Sequence, residues 1–516
     1  MSDFISTPTA HMPHAEGRAM PVLALASAGC ALTVLDTNVV GIVLPAIARD
    51  LHASFAGIEW VVSAYVLLFA ALLLPAGAIA DKHGRKRVFL VGIAVFGLAS
   101  LACGLAGSAI TLALARACQG VGAAFLIAPA LAIIGHRFHT ERDRAHAWAI
   151  WGSVMGLTMV LSPIIGGLIS STYGWRWAFY INVPICIALL ATVPAIVEDS
   201  RDPHPRPLDL AGMALFVLGM LGVTSALILG PGKGWTSNAV TARWLGGIGM
   251  FALFVLAEQR NEQPMLDLGL FRRPSFVGAV TAMFAYAASA QVMASLLPLY
   301  LQGAQGHAPL AAGIAMLPFA LAMLLFPRVG RWLGTHGNGY QVLTLGLLLV
   351  GFGNALMVHA AWHGGHAALV AAMAILGAGG GLLNGETQKA VMVNVPPQRA
   401  GMASGISTTS RFAGILLGFS GLGALLASGT RAALASDPRL RGLLLSNELI
   451  DRIVAGDVDL RPSVIPMGDW PTFLQQVRQD YGHAFADVFL LAALIAGTAA
   501  NIVFWTMRRR RADGQR

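Results

Sequence analysis

Apolar runs of roughly twenty residues or more recur along this chain, most of them separated by only a few polar or charged residues. A helix rises about 1.5 Å per residue, so each run can cross the ~30 Å hydrocarbon core of a bilayer. A run that follows another after a short connection must fold back antiparallel to it. Fourteen such runs fit the sequence, at approximately 20–47, 57–80, 88–108, 110–136, 146–170, 175–196, 208–231, 242–258, 276–302, 309–334, 340–360, 366–392, 401–428 and 483–507. Backbone amides in hydrocarbon must be satisfied within their own segment, which makes continuous apolar runs of this length helical. The expectation is an all-α integral membrane protein. The eighth run is the weakest, being short and opening beside Arg243.

Charge agrees with this. Only 11% of the residues are charged and 56% are hydrophobic, against about 25% charged in an ordinary soluble domain. The net charge of +9 raises the question of a nucleic-acid ligand, but the basic residues form no stripe. They collect in alternate connections and in Arg508, Arg509, Arg510 and Arg511, whereas the short connections on the other side hold Arg49, Arg176, Lys233 and Arg243. This bias places the richer side, with both chain ends, in the cytoplasm, as expected of a multi-pass plasma-membrane protein. No nucleic-acid partner is expected. Cys30, Cys103, Cys118 and Cys186 all fall inside apolar runs and read as small buried hydrophobes. Residues 1–19 are polar and lack the basic start of a signal peptide, so the first long run reads as a span.

The shortest and most charged connection joins the second and third runs, Gly77-Ala78-Ile79-Ala80-Asp81-Lys82-His83-Gly84-Arg85-Lys86-Arg87. Gly77 is expected to allow close helix approach and Gly84 a turn with positive φ. Asp81 suits the positive end of an adjacent helix, while Lys82, Arg85, Lys86 and Arg87 stay in cytoplasmic water. An ordinary positive-inside anchor would carry similar charges.

Asp36 is the most informative intramembrane residue. It lies about 24 Å of helical rise from Met20, near mid-bilayer, and needs a wet cavity or a partner there. Burial alone would favour its protonated form and proton exchange; a nearby cation would do the opposite. Thr33, Thr37 and Asn38 are helical neighbours able to hydrogen-bond the site. Arg116 and Gln119 share one helix face, toward a common cavity, and the arginine must be solvated or paired. Competition between Arg116 and a proton for an acidic partner would connect ionisation to helix movement. Snorkelling of Arg116 to the interface is the bland alternative. Glu386 and Lys389, one turn apart, suit an internal ion pair, or else Glu386 faces a central cavity as a second proton or cation site. Gln291 joins Gln119, Asn38 and Glu386 as a candidate substrate contact, and Arg411 is a further intramembrane charge.

Several of these stretches resemble the major facilitator superfamily, and in particular its fourteen-helix drug:proton antiporter branch. The 77–87 loop is similar to that superfamily's signature between helices 2 and 3, with Ile79 at a Leu position. Arg116-Ala117-Cys118-Gln119-Gly120-Val121-Gly122-Ala123-Ala124 resembles the fourth-helix motif R-x-x-Q-G-x-G-A-A, and Leu35-Asp36-Thr37-Asn38 through Pro45 the first-helix motif of the branch, with Gly41 at an Asn position. Gly156 through Gly167 resembles the antiporter motif G-x-x-x-G-P-x-x-G-G, with Thr158 and Ser162 in place of two glycines around Pro163, Gly166 and Gly167. Trp175-Arg176-Trp177-Ala178-Phe179-Tyr180-Ile181-Asn182-Val183-Pro184, Leu297 through Gln302, Ala400 through Gly405 and Ser410-Arg411 have counterparts in the same branch.

The resemblance implies a division of the chain. It gives a cytoplasmic tail (1–19), a six-helix bundle (20–196), a linker with two extra helices (197–275), a pseudo-symmetric second bundle (276–507) that includes an external loop (429–482), and a basic tail (508–516). It implies secondary efflux of amphipathic organic compounds, cationic ones among them, driven by the transmembrane proton gradient with no cofactor. Asp36 and Arg116 would couple the proton, residues 77–87 would latch the two halves in the outward-facing state, and Gly156, Pro163, Gly166 and Gly167 would pack the antiport helix. Envelope-spanning efflux partners fit such a pump. A dedicated metabolite or antibiotic exporter, an uptake symporter, and a membrane sensor or scaffold are the competing readings. No His/Cys/acid set stands at catalytic-metal spacing and no phosphate-binding glycine loop occurs, which disfavours an enzyme.

Overall fold

The computed structural model describes residues 19–138, 140–201, 209–261, 268–395, 400–436, 447–458 and 470–508. Among the described residues, fourteen helices are long and apolar enough to cross a membrane. They are α1 (Ala19–Asp50), α2 (Phe55–His83), α3 (Arg85–Gly104), α4 (Ala109–Arg137), α5 (Arg142–Thr172), α6 (Trp177–Ile196) and α7 (Leu210–Lys233). The rest are α8 (Asn238–Arg260), α9 (Pro274–Ala304), α10 (Pro309–His336), α11 (Gly339–His363), α12 (His366–Val393), α13 (Gly405–Ser436) and α14 (Trp470–Arg508). No strand occurs among the described residues. The protein is an all-α, multi-pass membrane protein.

Two differences from the sequence expectation have a common cause, helices that run past the hydrocarbon. The eighth helix starts at Asn238, and Arg243 is accommodated because its Nη1 donates to the Ala239 carbonyl at 2.6 Å. The 429–482 connection is shorter than expected, since α13 continues to Ser436 and α14 begins at Trp470. Between them, helix Asn447–Val454 packs inward over its last turn: Ile453, Val454 and Ala455 are buried, and Tyr481 donates to the Val454 carbonyl at 3.2 Å.

Helices α1 to α6 pack on one another, as do α9 to α14, while α7 and α8 form a hairpin laid against α2 and α13. A crevice where these meet is lined by Leu67 of α2, Phe216 and Met220 of α7 and Phe412 and Leu416 of α13. The glycines of α12 form a packing face. A Cβ at Gly379 would lie 2.6 Å from the Val350 amide of α11, and one at Gly381 would lie 2.9 Å from Phe326 of α10. Both need a bare backbone for that approach.

The two sets of helices meet along three antiparallel or crossed seams. Helix α2 runs beside α13, with Ser63 opposite Ser420 at 3.5 Å, Phe69 against Phe412 at 4.7 Å between ring centroids, and Leu74 against Gly405. Helix α5 runs beside α10: a Cβ at Gly167 would sit 2.6 Å from the Pro309 carbonyl oxygen, and one at Gly313 would strike the Pro163 carbonyl. Helix α1 meets α9, where Gln302 Nε2 donates to the Ile42 carbonyl at 2.8 Å. The tightest of these contacts lie toward the external ends, and α4 packs within its own set, on α1, α2 and α3. The external side is closed in this conformation.

Candidate functional site

Asp36 is 1% exposed and sits inside the first set of six helices. Arg116 Nη1 from α4 reaches its Oδ2 at 2.5 Å; Gln119 Nε2, one turn further on α4, reaches Oδ1 at 2.8 Å, and Asn182 Nδ2 from α6 reaches Oδ1 at 2.9 Å. All three partners donate, the arrangement an ionised, acceptor-only carboxylate takes. Arg116 is held as tightly: Nη1 also donates to Gln119 Oε1 at 2.7 Å, Nε to the Val61 carbonyl at 3.2 Å, and the guanidinium lies 4.1 Å over the Tyr65 ring. Ser100 closes the network by accepting from Gln119 at 2.7 Å. Five helices thus converge on one ion pair.

This network fixes where the pair lies. Arg116 does not snorkel, being 1% exposed. Nor do Arg116 and Gln119 face a shared cavity; they face Asp36 within the bundle, which is the correction to the expected wet site. Desolvating two charges is offset only when the remaining donors and acceptors are satisfied as well, and Gln119, Asn182, Ser100 and Tyr65 supply that. Asn38 does not contribute, returning its side chain to the Val34 carbonyl of its own helix, whereas Thr37 donates to the Thr33 carbonyl and also meets the Tyr65 hydroxyl.

The charged loop is tied to its own half. Arg85 Nε and Nη2 pair with Asp81 Oδ1, each at 2.9 Å, so Asp81 serves the loop and does not cap a neighbouring helix. That place at the start of α3 is taken by Asp199, which accepts from the Lys86 amide at 3.2 Å and faces Arg87 at 3.4 Å. Lys86 Nζ donates to the Pro194 carbonyl at 2.6 Å. Gly84 has φ 110°, as the turn requires, and a Cβ there would stand 2.6 Å from the Asp199 carboxylate. Gly77 is not needed for close approach, because a Cβ would meet Ala128 at an ordinary 3.8 Å. Lys82 is exposed.

On α5, Gly156, Pro163 and Gly167 face α10 across the seam, and Gly166 faces Val39 of α1. The hydroxyls standing at glycine positions turn inward: Ser162 Oγ donates to Thr158 at 2.6 Å and Thr158 Oγ1 to Val154 at 2.8 Å. Neither obstructs the packing. Glu386 and Lys389 do form a pair, 3.4 Å apart, but at the cytoplasmic end of α12 beyond a break at Gly385 (φ 90°), with Glu386 packed against Gly334 of α10. Gln291 lies in a π-helical turn of α9 and accepts from Arg411 Nε at 2.9 Å. These four residues are not brought together with Asp36.

Sequence reasoning passed over Asn182, Ser100, Tyr65 and Glu59. Asn182 had a signal, an amide inside an apolar run, as did Glu59, an acid between Ile58 and Trp60 in the second run. Ser100 and Tyr65 had none, since both residue types are common in membrane helices. The Trp175-Arg176 pair has a role beyond an interfacial belt: both donate to Asp50 Oδ2, at 3.0 and 2.5 Å, and so fasten the external end of α1 to the start of α6.

The family model for the Major Facilitator Superfamily matches residues 26–419. The chain is 34% identical over 409 residues to the multidrug resistance protein Stp of Mycobacterium tuberculosis, covering 79% of this chain and 75% of that one. It is 30% identical over 496 residues to the multidrug efflux pump LfrA of Mycolicibacterium smegmatis, covering 95% and 97%. Among solved structures, an inward-facing, unoccupied bacterial homologue of the lysosomal transporter Spinster superposes with a TM-score of 0.66 at 17% identity, covering 97% of this chain and 98% of that one, a likeness of fold alone.

Proposed function

The chain belongs to the major facilitator superfamily and carries small organic molecules across the membrane as a secondary transporter; from that premise we propose that it is a proton-driven exporter of amphipathic compounds in the fourteen-helix drug:proton antiporter branch. The observation that carries this reading is the buried Asp36–Arg116 pair. Protonation of Asp36 removes the counter-ion of a guanidinium that cannot lose its own charge, so the contacts Arg116 makes to α1, α2 and Gln119 must rearrange. A proton bound at that one carboxylate therefore alters the packing of the helices that form the first half. The halves, residues 20–196 and 276–507, rock about the central seams, and cargo enters from the cytoplasmic side while Asp36 is ionised. Names of the relatives, a multidrug resistance protein and a multidrug efflux pump, support export.

The cargo is amphipathic. Its attraction through Asp36 and Glu386, the basis for expecting cations, loses support here: the first is neutralised by Arg116 and sealed, the second is paired with Lys389 at the cytoplasmic end. Docking to an envelope-spanning partner draws support from none of these observations. The test is flux in sealed proteoliposomes with a chemically diverse panel and an imposed proton gradient. Gradient-dependent movement opposite to the proton supports the assignment. Movement with the proton makes the protein an uptake symporter, a single transported compound makes it a dedicated exporter, and binding without movement makes it a sensor.

A further inference from the structure

Glu59 stands one turn inside the external end of α2, after the Ser54 cap, and is fully buried. Neither carboxyl oxygen has a hydrogen-bond partner. Its Oε1 lies so close to the backbone of α13 that a Cβ at Gly423 would collide with it. One turn further in, Ser63 meets Ser420. The carboxyl is therefore clamped in the external part of the seam between the two halves, where no donor stabilises a negative charge.

None of the charged groups on the surrounding described elements bonds to Glu59. Arg431, two turns outward from Gly423 on α13, pairs through Nη2 with Asp451 of the short external helix while its Nε has no partner, Glu59 included, and Arg452 of that helix pairs with Asp457 at 2.8 Å. Arg116 of α4 is bound to Asp36, Asp50 of α1 to Arg176, Arg411 of α13 to Gln291, and Lys233 of α7 is exposed. An ionised carboxylate in a sealed contact without a donor is far costlier than the neutral acid. The closed seam accepts Glu59 only with its proton.

We propose that Glu59 is a second proton-binding site, which exchanges with the external solution alone and whose protonation is required for the external seam to close. When α2 and α13 part, the carboxyl meets external water and releases H⁺; before they rejoin it takes one back from the same side. No net proton crosses through it, so its part is to set how external pH biases the two conformations, separately from Asp36. The proposal rests on alternating access of the halves but not on Asp36 as the coupling residue.

The experiment places spin labels on the external turns through Gly107→Cys and His363→Cys, with Cys118→Ser, in the full chain in nanodiscs, and reads the distance distribution from about pH 5 to about pH 9, a range spanning accessible and buried carboxyls. Otherwise unaltered protein is expected to shift from a short to a long distance as pH rises. Glu59→Gln, neutral at every pH, is expected to lose the shift and stay short, while Asp36→Asn is expected to retain it. An infrared carboxylic-acid band present at neutral pH and missing in Glu59→Gln checks the protonation independently of conformation. Persistence of the shift in Glu59→Gln, or absence of that band, overturns the proposal while leaving alternating access intact. A distance that never lengthens, at any pH or with any transported compound, overturns the rocking of the halves itself.

Discussion

Arg116 lies 2.5 Å from Asp36 on one side and 4.1 Å over the ring of Tyr65 on the other, so a single guanidinium joins α1, α2 and α4 through contacts of different kinds. Asp36→Asn keeps the shape of the carboxylate and removes its charge. Breaking one partner of a buried pair typically costs about 3–5 kcal/mol, because the other charge is left uncompensated. Asp36→Asn is expected to lower thermal stability accordingly and to abolish both gradient-driven export and the proton release that accompanies cargo binding. The double variant Asp36→Asn with Arg116→Gln removes the orphaned charge and is expected to recover much of the stability without recovering coupling. Thermal unfolding in detergent and proton release measured with a pH electrode on the same samples separate the two effects. Gradient-dependent export that survives Asp36→Asn would falsify the assignment of the coupling carboxylate.

The α5–α10 seam gives a conformational prediction. Gly313 faces the Pro163 carbonyl, and Gly167 faces the Pro309 carbonyl at 2.6 Å from its would-be Cβ. Both obstacles are backbone and cannot rotate away. Gly313→Ala is expected to push the external ends of α5 and α10 apart and bias the protein toward an externally open state, with alkylation of a cysteine introduced beside the seam rising several-fold from the external side. Gly77→Ala, where the Cβ has an ordinary 3.8 Å neighbour, is the control and is expected to leave the alkylation rate unchanged.

The helices were legible because hydrocarbon forces every backbone group into its own helix, which makes span length and apolarity nearly sufficient. Asp36, Arg116 and Gln119 were legible for a related reason, since polar groups are rare enough in such runs to single themselves out. Their meeting was not: sequence spacing puts Arg116 and Gln119 on one face of α4, yet nothing along the chain says that this face turns inward to Asp36 or that Asn182 comes from the sixth helix to join them. Asp81 and Asp199 make the same point at the surface. Both acids flank the basic loop, and only the packing of α6 against α3 decides that Asp199 takes the helix start while Asp81 stays with Arg85. The choice between an ion pair and a cavity site for Glu386 could not be read from spacing, because it depends on the break at Gly385 that sets the last turns of α12.

The loop between α2 and α3 separates steric from electrostatic effects. The Arg87–Asp199 contact spans 3.4 Å, and the arginine side chain is 71% exposed, so Asp199→Asn is expected to cost under about 1 kcal/mol, as surface pairs do. Gly84→Ala is expected to cost more, because φ 110° is hostile to any side chain and the new methyl group meets the Asp199 carboxylate. Adding Asp199→Ala to Gly84→Ala relieves the collision and leaves the backbone strain. Partial recovery of the melting temperature in the pair is the expected outcome, and full recovery would refute the strain.

Glu386 gives the test that separates an ion pair at the edge of the membrane from a cargo site at its centre. Its carboxyl is packed against Gly334 with Lys389 at 3.4 Å, and the lysine side chain is 55% exposed. Lys389→Ala is therefore expected to change stability by under about 1 kcal/mol, since solvent already screens that charge. Glu386→Gln retains the volume that fills the gap between α12 and α10 and removes the charge a cationic cargo would sense. Its affinity for cationic and for neutral members of one compound series is expected to change by the same small factor. A loss of affinity confined to the cations, with neutral compounds untouched, would place Glu386 in the cargo path despite its position beyond the Gly385 break.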